Sequence, residues 1–309
     1  MFQKSINKSF TLDGKGLHFG KDVRMVVHPA PADHGIVFKR SDMKGEQAYI
    51  KASFENVSKT YLRTQLTNRF GVSIITAEHI LAAFAGLGIH NALVELNEAE
   101  VPIFDGSSRV FVRAILESGV TELDKKTKLY QVVNSIRVGS SNAWAELRPA
   151  KTFSIDFEMD WPGTALGKQS LDIPIVNGVF VREICDSRTF CRKGDVVRLK
   201  HEGFALGGGI ENAILVGKDE MTASNGLRYA DECVRHKILD ALGDLSLVGR
   251  PILGKFVSFS GGHGLTNMLL RESFNRGDVF VSKQFSDGDR DKLPGFDISK
   301  VDTRNILKP

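Results

Sequence analysis

The two halves of the chain repeat one order of predicted elements. In each half, short runs with alternating apolar and polar residues are followed by an apolar helix that begins near a histidine and ends at glycine, and then by a strand and a second helix. Alternation with period two is typical of half-buried strands. A repeated unit of this kind predicts an α+β fold in which two layered βααβ-type domains with duplicated topology face each other.

The chain of 309 residues is long enough for two domains, each with its own core. A polar, charged segment separates the halves, and the final residues are polar and rich in Gly and Asp, which predicts loose packing. We expect a first domain at 1–124, a linker at 125–128, a second domain at 129–274 with a small strand-helix-strand insert at about 186–217, and a tail at 275–309.

Composition argues against several classes of protein. A net charge of +4, from 41 basic and 37 acidic residues, is too small to indicate a nucleic-acid-binding protein. The N-terminal residues lack the apolar core of a signal peptide, and no later run reaches membrane-spanning length. Three cysteines without CxxC spacing predict reduced thiols. We therefore expect a cytoplasmic protein, monomeric and without stable membrane insertion.

The helix predicted for the second half runs through 232–244 and carries two potential metal ligands. His236 and Asp240 stand four residues apart, so their side chains project from one face about one turn apart. An imidazole and a carboxylate in that arrangement can hold one metal ion. The alternative is that the pair forms an ordinary hydrogen bond on a helix that mainly serves the core.

The apolar helix of the first half begins in Thr76-Ala77-Glu78-His79. Thr76 is the expected N-cap, which puts Glu78 and His79 in the first turn. If the two domains face each other, His79 comes close to His236 of the other domain. Earlier in the chain His18 follows a glycine-rich turn and either lines a site or forms a hydrogen bond within the turn.

Together, His79, His236 and Asp240 make an N/N/O ligand set, the number of protein ligands typical of a catalytic zinc. Iron(II) also occupies such sites. A zinc ion lowers the pKa of water toward about 7, so hydrolysis near neutrality becomes feasible.

Neighbouring groups could supply the proton transfers. Glu78 is a candidate base, His263 at a glycine-flanked helix start a candidate acid, and Asp244 could orient His263. Lys237 is a candidate contact for an anionic substrate group. Each also has an ordinary structural explanation, as a helix-dipole charge, a turn histidine or a solvated side chain. Metal-assisted hydrolysis requires all these roles at once, which favours the functional interpretation of the set.

At these residues the chain resembles the UDP-3-O-acyl-N-acetylglucosamine deacetylases, zinc amidases that commit bacteria to lipid A synthesis. The similarity runs in order from about Ser5 to about Phe274. The motifs that carry it are Thr76-Ala77-Glu78-His79, Gly86-Leu87-Gly88-Ile89, Glu100-Val101-Pro102-Ile103-Phe104-Asp105-Gly106-Ser107, Asp186-Ser187-Arg188-Thr189-Phe190, Ala205-Leu206-Gly207-Gly208, Val234-Arg235-His236-Lys237-Ile238-Leu239-Asp240 with Gly243-Asp244, and Ser260-Gly261-Gly262-His263.

The resemblance implies two βααβ-type domains facing across a cleft and a role for each site residue. It assigns zinc to His79, His236 and Asp240, the general base to Glu78, and the general acid to His263 supported by Asp244. It implies that Thr189 contacts the tetrahedral oxyanion and that the 186–217 insert surrounds the acyl chain. The expected contacts with the UDP-acyl-sugar substrate are Lys237, Phe190, His18 and Leu62.

The chain departs from the family pattern beside the expected acyl passage. Cys191 stands where Gly is usual, Arg192 and Lys193 replace apolar residues, and Arg63 replaces a small residue near the cleft. Cations against an acyl chain are costly unless their charged ends reach water. Two alternatives to the deacetylase therefore stay open, namely a divergent member acting on another N-acetylated sugar and a non-catalytic regulatory or binding protein.

Overall fold

The computed structural model of the chain describes residues 2–304 and 306–307. It has the predicted α+β class. The elements of the first half are β1 (Phe2–Ile6), β2 (Phe10–Lys15), β3 (Asp22–Pro29), β4 (Ile36–Arg40), β5 (Tyr49–Lys51), β6 (Val57–Lys59), β7 (Gln65–Thr67), β8 (Ser73–Ile75), α1 (Glu78–Gly86), β9 (Ala92–Leu96), α2 (Arg109–Ser118) and β10 (Val120–Lys126).

The second half is longer because it contains the insert and the C-terminal segment. Its elements are β11 (Lys128–Val132), β12 (Ile136–Gly139), β13 (Trp144–Arg148), β14 (Ser154–Trp161), β15 (Gly167–Pro174), β16 (Phe190–Arg192), α3 (Val196–His201), β17 (Ile214–Val216), β18 (Met221–Thr222), α4 (Glu232–Leu245), β19 (Ile252–Leu253), β20 (Lys255–Phe259), α5 (His263–Arg276), β21 (Phe280–Gln284) and α6 (Lys300–Thr303).

Each half contains a five-stranded sheet, and the two sheets have the same strand order and directions. The first has the order β2-β3-β9-β4-β5 and the second β12-β13-β20-β14-β15. In each sheet the third and fourth strands are parallel, and the other neighbours are antiparallel. The repeated order of elements predicted from the sequence therefore corresponds to two sheets of matching topology.

The helices pack against these sheets and against each other, with their apolar side chains facing the buried side chains of the strands. β3 alternates exposed and buried residues along its length, with Val23, Met25 and Val27 in the core. Helix α1 is buried along most of its length and packs against α4, and α4 in turn packs against β14, β15 and α5. One cluster of buried apolar side chains extends through both halves.

The predicted insert forms a small sheet of its own. Its strands have the order β16-β17-β18, with β16 and β17 parallel and connected through α3. The predicted strand-helix-strand arrangement is therefore present, and the small sheet extends beyond 217 to include β18 at Met221–Thr222.

The segment 125–128, expected to be a solvated linker, has regular backbone structure. Lys125 and Lys126 end β10, which pairs with β1, and Lys128 begins β11, which pairs with β19 and β21. Thr127 between them is buried. The lysines made this segment resemble a solvated linker. Side chains alternate between the two sides of a strand, so charged residues on the open side can occur beside a buried residue on the other side.

The expectation that the tail at 275–309 packs loosely is wrong for its described part. β21 pairs with β11, and Phe285, Leu293, Phe296 and Ile306 are buried. Two short helical turns begin with reciprocal capping boxes, Ser286 with Asp289 and Ser299 with Asp302. Buried apolar side chains that occur one at a time along a polar segment are sufficient to attach that segment to the fold. Residues 305, 308 and 309 of this predicted tail lie outside the described residues.

Among the described residues, every helix is too short or too polar to cross a bilayer.

Candidate active site

The first turn of α1 carries Glu78 and His79, as predicted, but Thr76 is not the N-cap. The helix begins at Glu78 after Ala77, and no side chain caps it. Thr76 has a φ of 61°, and its hydroxyl donates a hydrogen bond to Glu100 Oε1 at 3.2 Å. Glu100 also accepts hydrogen bonds from the backbone N–H groups of His18 and Phe19. The Thr76 hydroxyl is therefore bonded to Glu100 and does not cap the helix.

Helix α4 crosses α1 at very close range because residue 243 is glycine. A Cβ atom at Gly243 would overlap the backbone carbonyl oxygen of Glu78. The absence of a side chain at this point lets the two helices approach closely. His236 and Asp240, one turn apart on α4, thereby come to face His79 on α1, as the facing of the two halves predicted.

His79, His236 and Asp240 form a buried cluster that could hold a metal ion. One potential ligand atom from each residue lies within 4.8 Å of the others. Asp240 Oδ1 lies 3.3 Å from His236 Nε2 and 3.6 Å from His79 Nε2. The two imidazole rings are nearly perpendicular, with centroids 5.0 Å apart. The three atoms therefore converge on a single position.

The chemistry of this cluster fits a metal ion. Asp240 Oδ1 is buried and has no hydrogen-bond partner among the described residues, an arrangement that is costly unless a ligand binds it. His236 Nδ1 lies 3.0 Å from the carbonyl oxygen of Ser187, which can only accept, so the proton is on Nδ1 and Nε2 is free to coordinate. Burial lowers the pKa of His79 to about 3, which keeps its imidazole neutral.

Asp240 is held as a carboxylate by its neighbours. Burial alone would favour the neutral acid, but the charge and hydrogen bond of Lys237 keep the pKa of Asp240 below its usual range. Lys237 Nζ donates to Asp240 Oδ2 at 2.9 Å, which leaves the other oxygen directed toward the histidines. The Lys237 side chain is mostly buried, and its charge is therefore matched within the site.

Glu78 lies beside the cluster in an environment that weakens its acidity. Its carboxyl group is buried, and burial raises its pKa to about 7, reinforced by the nearby carboxylates Asp240 and Asp244. Glu78 Oε2 accepts a hydrogen bond from the backbone N–H of Thr64 at 3.1 Å. A carboxyl group with a pKa near neutrality can both take up and release a proton at physiological pH.

His263 begins α5 and pairs with Asp244 of α4. Its Nδ1 lies 2.7 Å from Asp244 Oδ2. Burial alone would lower the pKa of His263, but the interaction with Asp244 outweighs burial and raises it to about 9. Asp244 Oδ1 accepts a second hydrogen bond from the Thr64 hydroxyl at 2.6 Å. The imidazole is therefore protonated at neutral pH and its carboxylate partner is fixed.

These groups open into one cleft of about 450 Å³ between the halves and the insert. Among the predicted residues, the cleft is lined by Glu78, His79, His236, Lys237, Asp240, His263, Thr189, Phe190 and Leu62. Asp244 is not part of this lining and reaches the cleft through His263. The cleft thus brings together Glu78, His263 and the His-His-Asp cluster.

His18 is not brought to the cleft wall, where its neighbour Leu17 is found instead. The His18 ring is buried with both nitrogens unpaired among the described residues, and it packs edge-on against Phe204 of the insert at 5.6 Å. Burial, with a contribution from Arg63, lowers the pKa of His18 to about 3. Arg63 lies over the same Phe204 ring at 4.9 Å.

The residues that depart from the family pattern have partners within the insert and the cleft wall. The Arg192 guanidinium lies 4.5 Å above the Trp161 ring, which contacts Phe190. Lys193 is 3.7 Å from Glu220 and largely exposed. Cys191 lines the cleft, and partial burial raises the pKa of its thiol. Neither cation therefore needs to end in an apolar passage.

Sequence reasoning missed Thr64, which binds Glu78 through its backbone and Asp244 through its hydroxyl. It lies in a segment between β6 and β7 without periodicity or a motif, so no local signal indicated it. The Ser187 carbonyl that orients His236 was also missed, because backbone groups carry no sequence signature.

Comparison with known proteins agrees with this geometry. The model of the family described as UDP-3-O-acyl N-acetylglycosamine deacetylase matches residues 3–275. The chain is similar to the UDP-3-O-acyl-N-acetylglucosamine deacetylases of Psychrobacter cryohalolentis (39% identity, 93% of this chain and 90% of the relative), Phenylobacterium zucineum (39%, 93% and 98%) and Colwellia psychrerythraea (41%, 89% and 91%). The chain belongs to the UDP-3-O-acyl N-acetylglycosamine deacetylase family.

Proposed function

We propose that this chain is a zinc-dependent deacetylase that hydrolyses the acetamide of UDP-3-O-acyl-N-acetylglucosamine and releases acetate, a reaction of lipid A biosynthesis. The observation that carries the proposal is the convergence of a His-His-Asp cluster, a buried carboxyl group and a carboxylate-paired histidine in one cleft. The names of relatives that align over nine-tenths of the chain support the choice of substrate.

In this proposal His79, His236 and Asp240 hold the metal. Two neutral imidazoles and one carboxylate suit zinc, and iron(II) is the alternative occupant. Zinc at such a site supplies Lewis acidity, which polarises a carbonyl group and lowers the pKa of water. Asp240 contributes the oxygen that lacks a hydrogen-bond partner among the described residues.

Glu78 is the proposed general base. Its pKa of about 7 lets a substantial fraction of the carboxylate exist at neutral pH, and it is adjacent to the ligand His79. The hydrogen bond from Thr64 N–H holds one carboxylate oxygen, so the other is available to accept a proton from the attacking water.

His263 is the proposed general acid. Cleavage of the amide expels an amine, which must gain a proton on its nitrogen to become a good leaving group. A histidine with a pKa of about 9 is protonated at neutral pH and can donate from Nε2, because Asp244 occupies Nδ1. Asp244 is therefore a positioning residue in this mechanism.

The remaining predicted residues are assigned to the substrate. Thr189 is proposed to contact the oxyanion, Phe190 and Leu62 to pack against the sugar and acyl portions, and Lys237 to attract an anionic group; all four line the cleft. His18 remains a predicted substrate contact. Its ring packs on Phe204 of the insert, so we propose that it affects substrate binding through the insert.

The proposal includes the domain division and the cellular compartment. We infer two domains at 1–124 and 129–274, supported by the matching order of the two five-stranded sheets. A cytoplasmic enzyme is supported by the free cysteines, since Cys185 and Cys233 are buried thiols and Cys191 is a partly exposed one.

The direct test is an acetate-release assay on the acylated substrate, with metal analysis of the same sample. The proposal expects stoichiometric zinc and turnover in the wild-type chain, loss of metal in His79→Ala, and retained metal with roughly 100-fold lower turnover in Glu78→Gln. A chain that lacks metal after purification without chelator, and is not activated by added zinc, would contradict it.

Substrate choice is tested by comparing kcat/KM for acylated and unacylated UDP-N-acetylglucosamine. The cation at position 192 in the cleft wall motivates this comparison, because it replaces an apolar family residue. A strong preference for the acylated form supports the proposed substrate. Equal turnover of the two sugars would instead favour a divergent member that acts on another N-acetylated sugar.

A further inference from the structure

A second cavity of about 850 Å³ lies between the two halves, and its lining shares no residue with that of the candidate active site. Helices α1 and α4 contribute to both. The first turn of α1 holds His79, whereas Phe84 and Ala85 near its end line the second cavity. On α4, Asp240 faces the metal cluster and Leu245 faces the second cavity. The size is within the range of small-molecule sites, roughly 300–1,000 Å³.

The inner wall of this cavity is apolar. It is built from side chains of both halves, including Ile36 of β4, Leu81 of α1, Leu242 of α4 and Ile252 of β19. Phe296 of the C-terminal segment also contributes, so the packed tail completes one side. An apolar wall of this kind favours a hydrocarbon group over water.

The rim of the cavity is strongly cationic. Lys51, Lys125, Lys126, Lys128 and Arg250 belong to the lining. The carboxylate of Asp33 is the one acidic group among the described lining residues, and Lys125 Nζ neutralises it by donating at 2.6 Å. Within the described chain, no ion pair involves Lys51, Lys126 or Lys128. The rim therefore carries uncompensated positive charge.

A polar atom without a partner lies in this rim. Thr127, between the two free lysines Lys126 and Lys128, is 2% exposed and belongs to the lining. Its hydroxyl has no hydrogen-bond partner among the described residues. Buried hydroxyl groups are nearly always hydrogen-bonded, so this unpaired hydroxyl is a donor available to a ligand inside the cavity.

We propose that this cavity binds a single-chain amphiphile with an anionic headgroup, a fatty-acyl or alkyl chain that carries a carboxylate or a phosphate. The chain packs along the apolar wall between α1 and α4, and the headgroup lies at the cationic rim beside Lys126 and Lys128. Binding is reversible and involves no covalent step. The proposal does not depend on the deacetylase activity, because the residues that carry it lie outside the candidate active site.

The test is a calorimetric titration of the full chain with dodecyl phosphate, dodecanoate and dodecyltrimethylammonium, each below its micelle concentration. Either anion, or both, should bind at least tenfold more tightly than the cation. Shortening the bound anion from dodecyl to decyl should weaken binding roughly tenfold, in line with the contribution of two buried methylene groups. Equal affinity for the cation, or no binding of either anion, would overturn the proposal.

Variants identify the site. Lys126→Glu with Lys128→Glu, at exposed positions on strands, should lower anion affinity at least tenfold with an unchanged melting temperature. The matched control, Lys193→Glu with Lys200→Glu on the exposed insert, should bind as the wild type does. Ala85→Trp, which fills the apolar wall, should abolish binding. If the insert variant loses binding while the rim variant keeps it, the amphiphile binds at the insert and the proposal fails.

Discussion

At the scale of single residues, the pairing of Asp244 with His263 controls the protonation of the proposed general acid. Asp244→Asn removes the charge that raises the pKa of His263 to about 9, while the burial that lowers it remains. An acid works only when protonated, so activity is lost as pH rises through its pKa. The basic limb of the kcat/KM profile should therefore move from near pH 9 to lower pH, with metal content unchanged. A limb that stays near pH 9 would exclude His263 as the acid.

Thr64 permits a second prediction at this scale. Thr64→Val keeps the backbone hydrogen bond to Glu78 but removes the hydroxyl that donates to Asp244 at 2.6 Å. Hydrogen bonds to charged groups contribute about 1.5–3 kcal/mol, so kcat/KM should fall roughly tenfold or more. Thr64→Ser retains the hydroxyl and is the control. Equal activity of the valine and serine variants would show that Asp244 needs no such support.

These residues also mark what sequence alone can predict of a site. His236 and Asp240 were accessible because a helix fixes the direction of side chains four positions apart. His79 required only that the two halves face each other. Thr64 was not accessible, because its position depends on where an irregular segment passes over another part of the chain. Whether Leu17 or His18 lines the cleft depends on the backbone direction in a turn. Residue types alone do not determine that direction.

At the scale of secondary-structure elements, the crossing of α1 and α4 determines the geometry of the proposed metal site. Gly243→Ala introduces a Cβ that would overlap the Glu78 carbonyl oxygen, so the helices must separate. Overpacking of this kind costs about 1–3 kcal/mol of folding stability. Because His79 lies on one helix and His236 on the other, zinc affinity should fall as well. Both quantities are measurable, by thermal unfolding of the metal-free chain and by competition with a zinc chelator.

The control for this substitution is Gly194→Ala, where an added Cβ meets no atom within 4 Å and the backbone is not left-handed. It should leave stability and zinc affinity close to those of the wild type. If Gly243→Ala binds zinc as tightly as Gly194→Ala does, the close crossing is not what positions the ligands.

Elements differed in how well their sequence patterns indicated them. Helix α4 was recognisable because its apolar periodicity is long and regular. Strand β15 (Gly167–Pro174) was not predicted, since its residues alternate between exposed and half-buried positions at the edge of a sheet and lack a strong apolar face. Residues 252–259 form two strands, because Gly254 separates β19, in a sheet with β11, from β20 in the five-stranded sheet.

At the scale of the whole molecule, the repeated order of elements was sufficient to predict two similar sheets, whereas the attachment of the tail was not predictable. Phe285, Leu293 and Phe296 occur singly among polar residues, so no window of sequence has a periodic apolar face. Their burial depends on grooves formed by distant segments. The roles of the charged residues of the tail were likewise not predictable from the sequence. Asp289 caps a helical turn, and its side chain is 2% exposed.

Asp289 makes attachment of the tail sensitive to acid. Although burial opposes ionisation, hydrogen bonds from Ser286, Lys283 and Lys292 hold its pKa well below the usual value of 3.8. A carboxyl group with a lowered folded-state pKa stabilises the fold above its unfolded pKa and loses that contribution as pH falls through the folded-state pKa. Asp289→Asn should therefore lower the free energy of unfolding by about 1–3 kcal/mol at pH 7. This deficit should shrink as pH falls below the unfolded pKa, because the unfolded wild type then takes up a proton that the folded wild type does not yet bind.

Urea unfolding followed by tryptophan fluorescence between pH 7 and pH 2.5 measures this difference. Asp287→Asn is the matched control, since Asp287 lies in the same turn but is exposed and makes none of the capping contacts. The control should unfold as the wild type does across the range. A deficit of Asp289→Asn that is the same at pH 7 and pH 2.5 would mean that the shape of the side chain, and not its charge, holds the tail, because an amide cannot gain or lose a proton in this range.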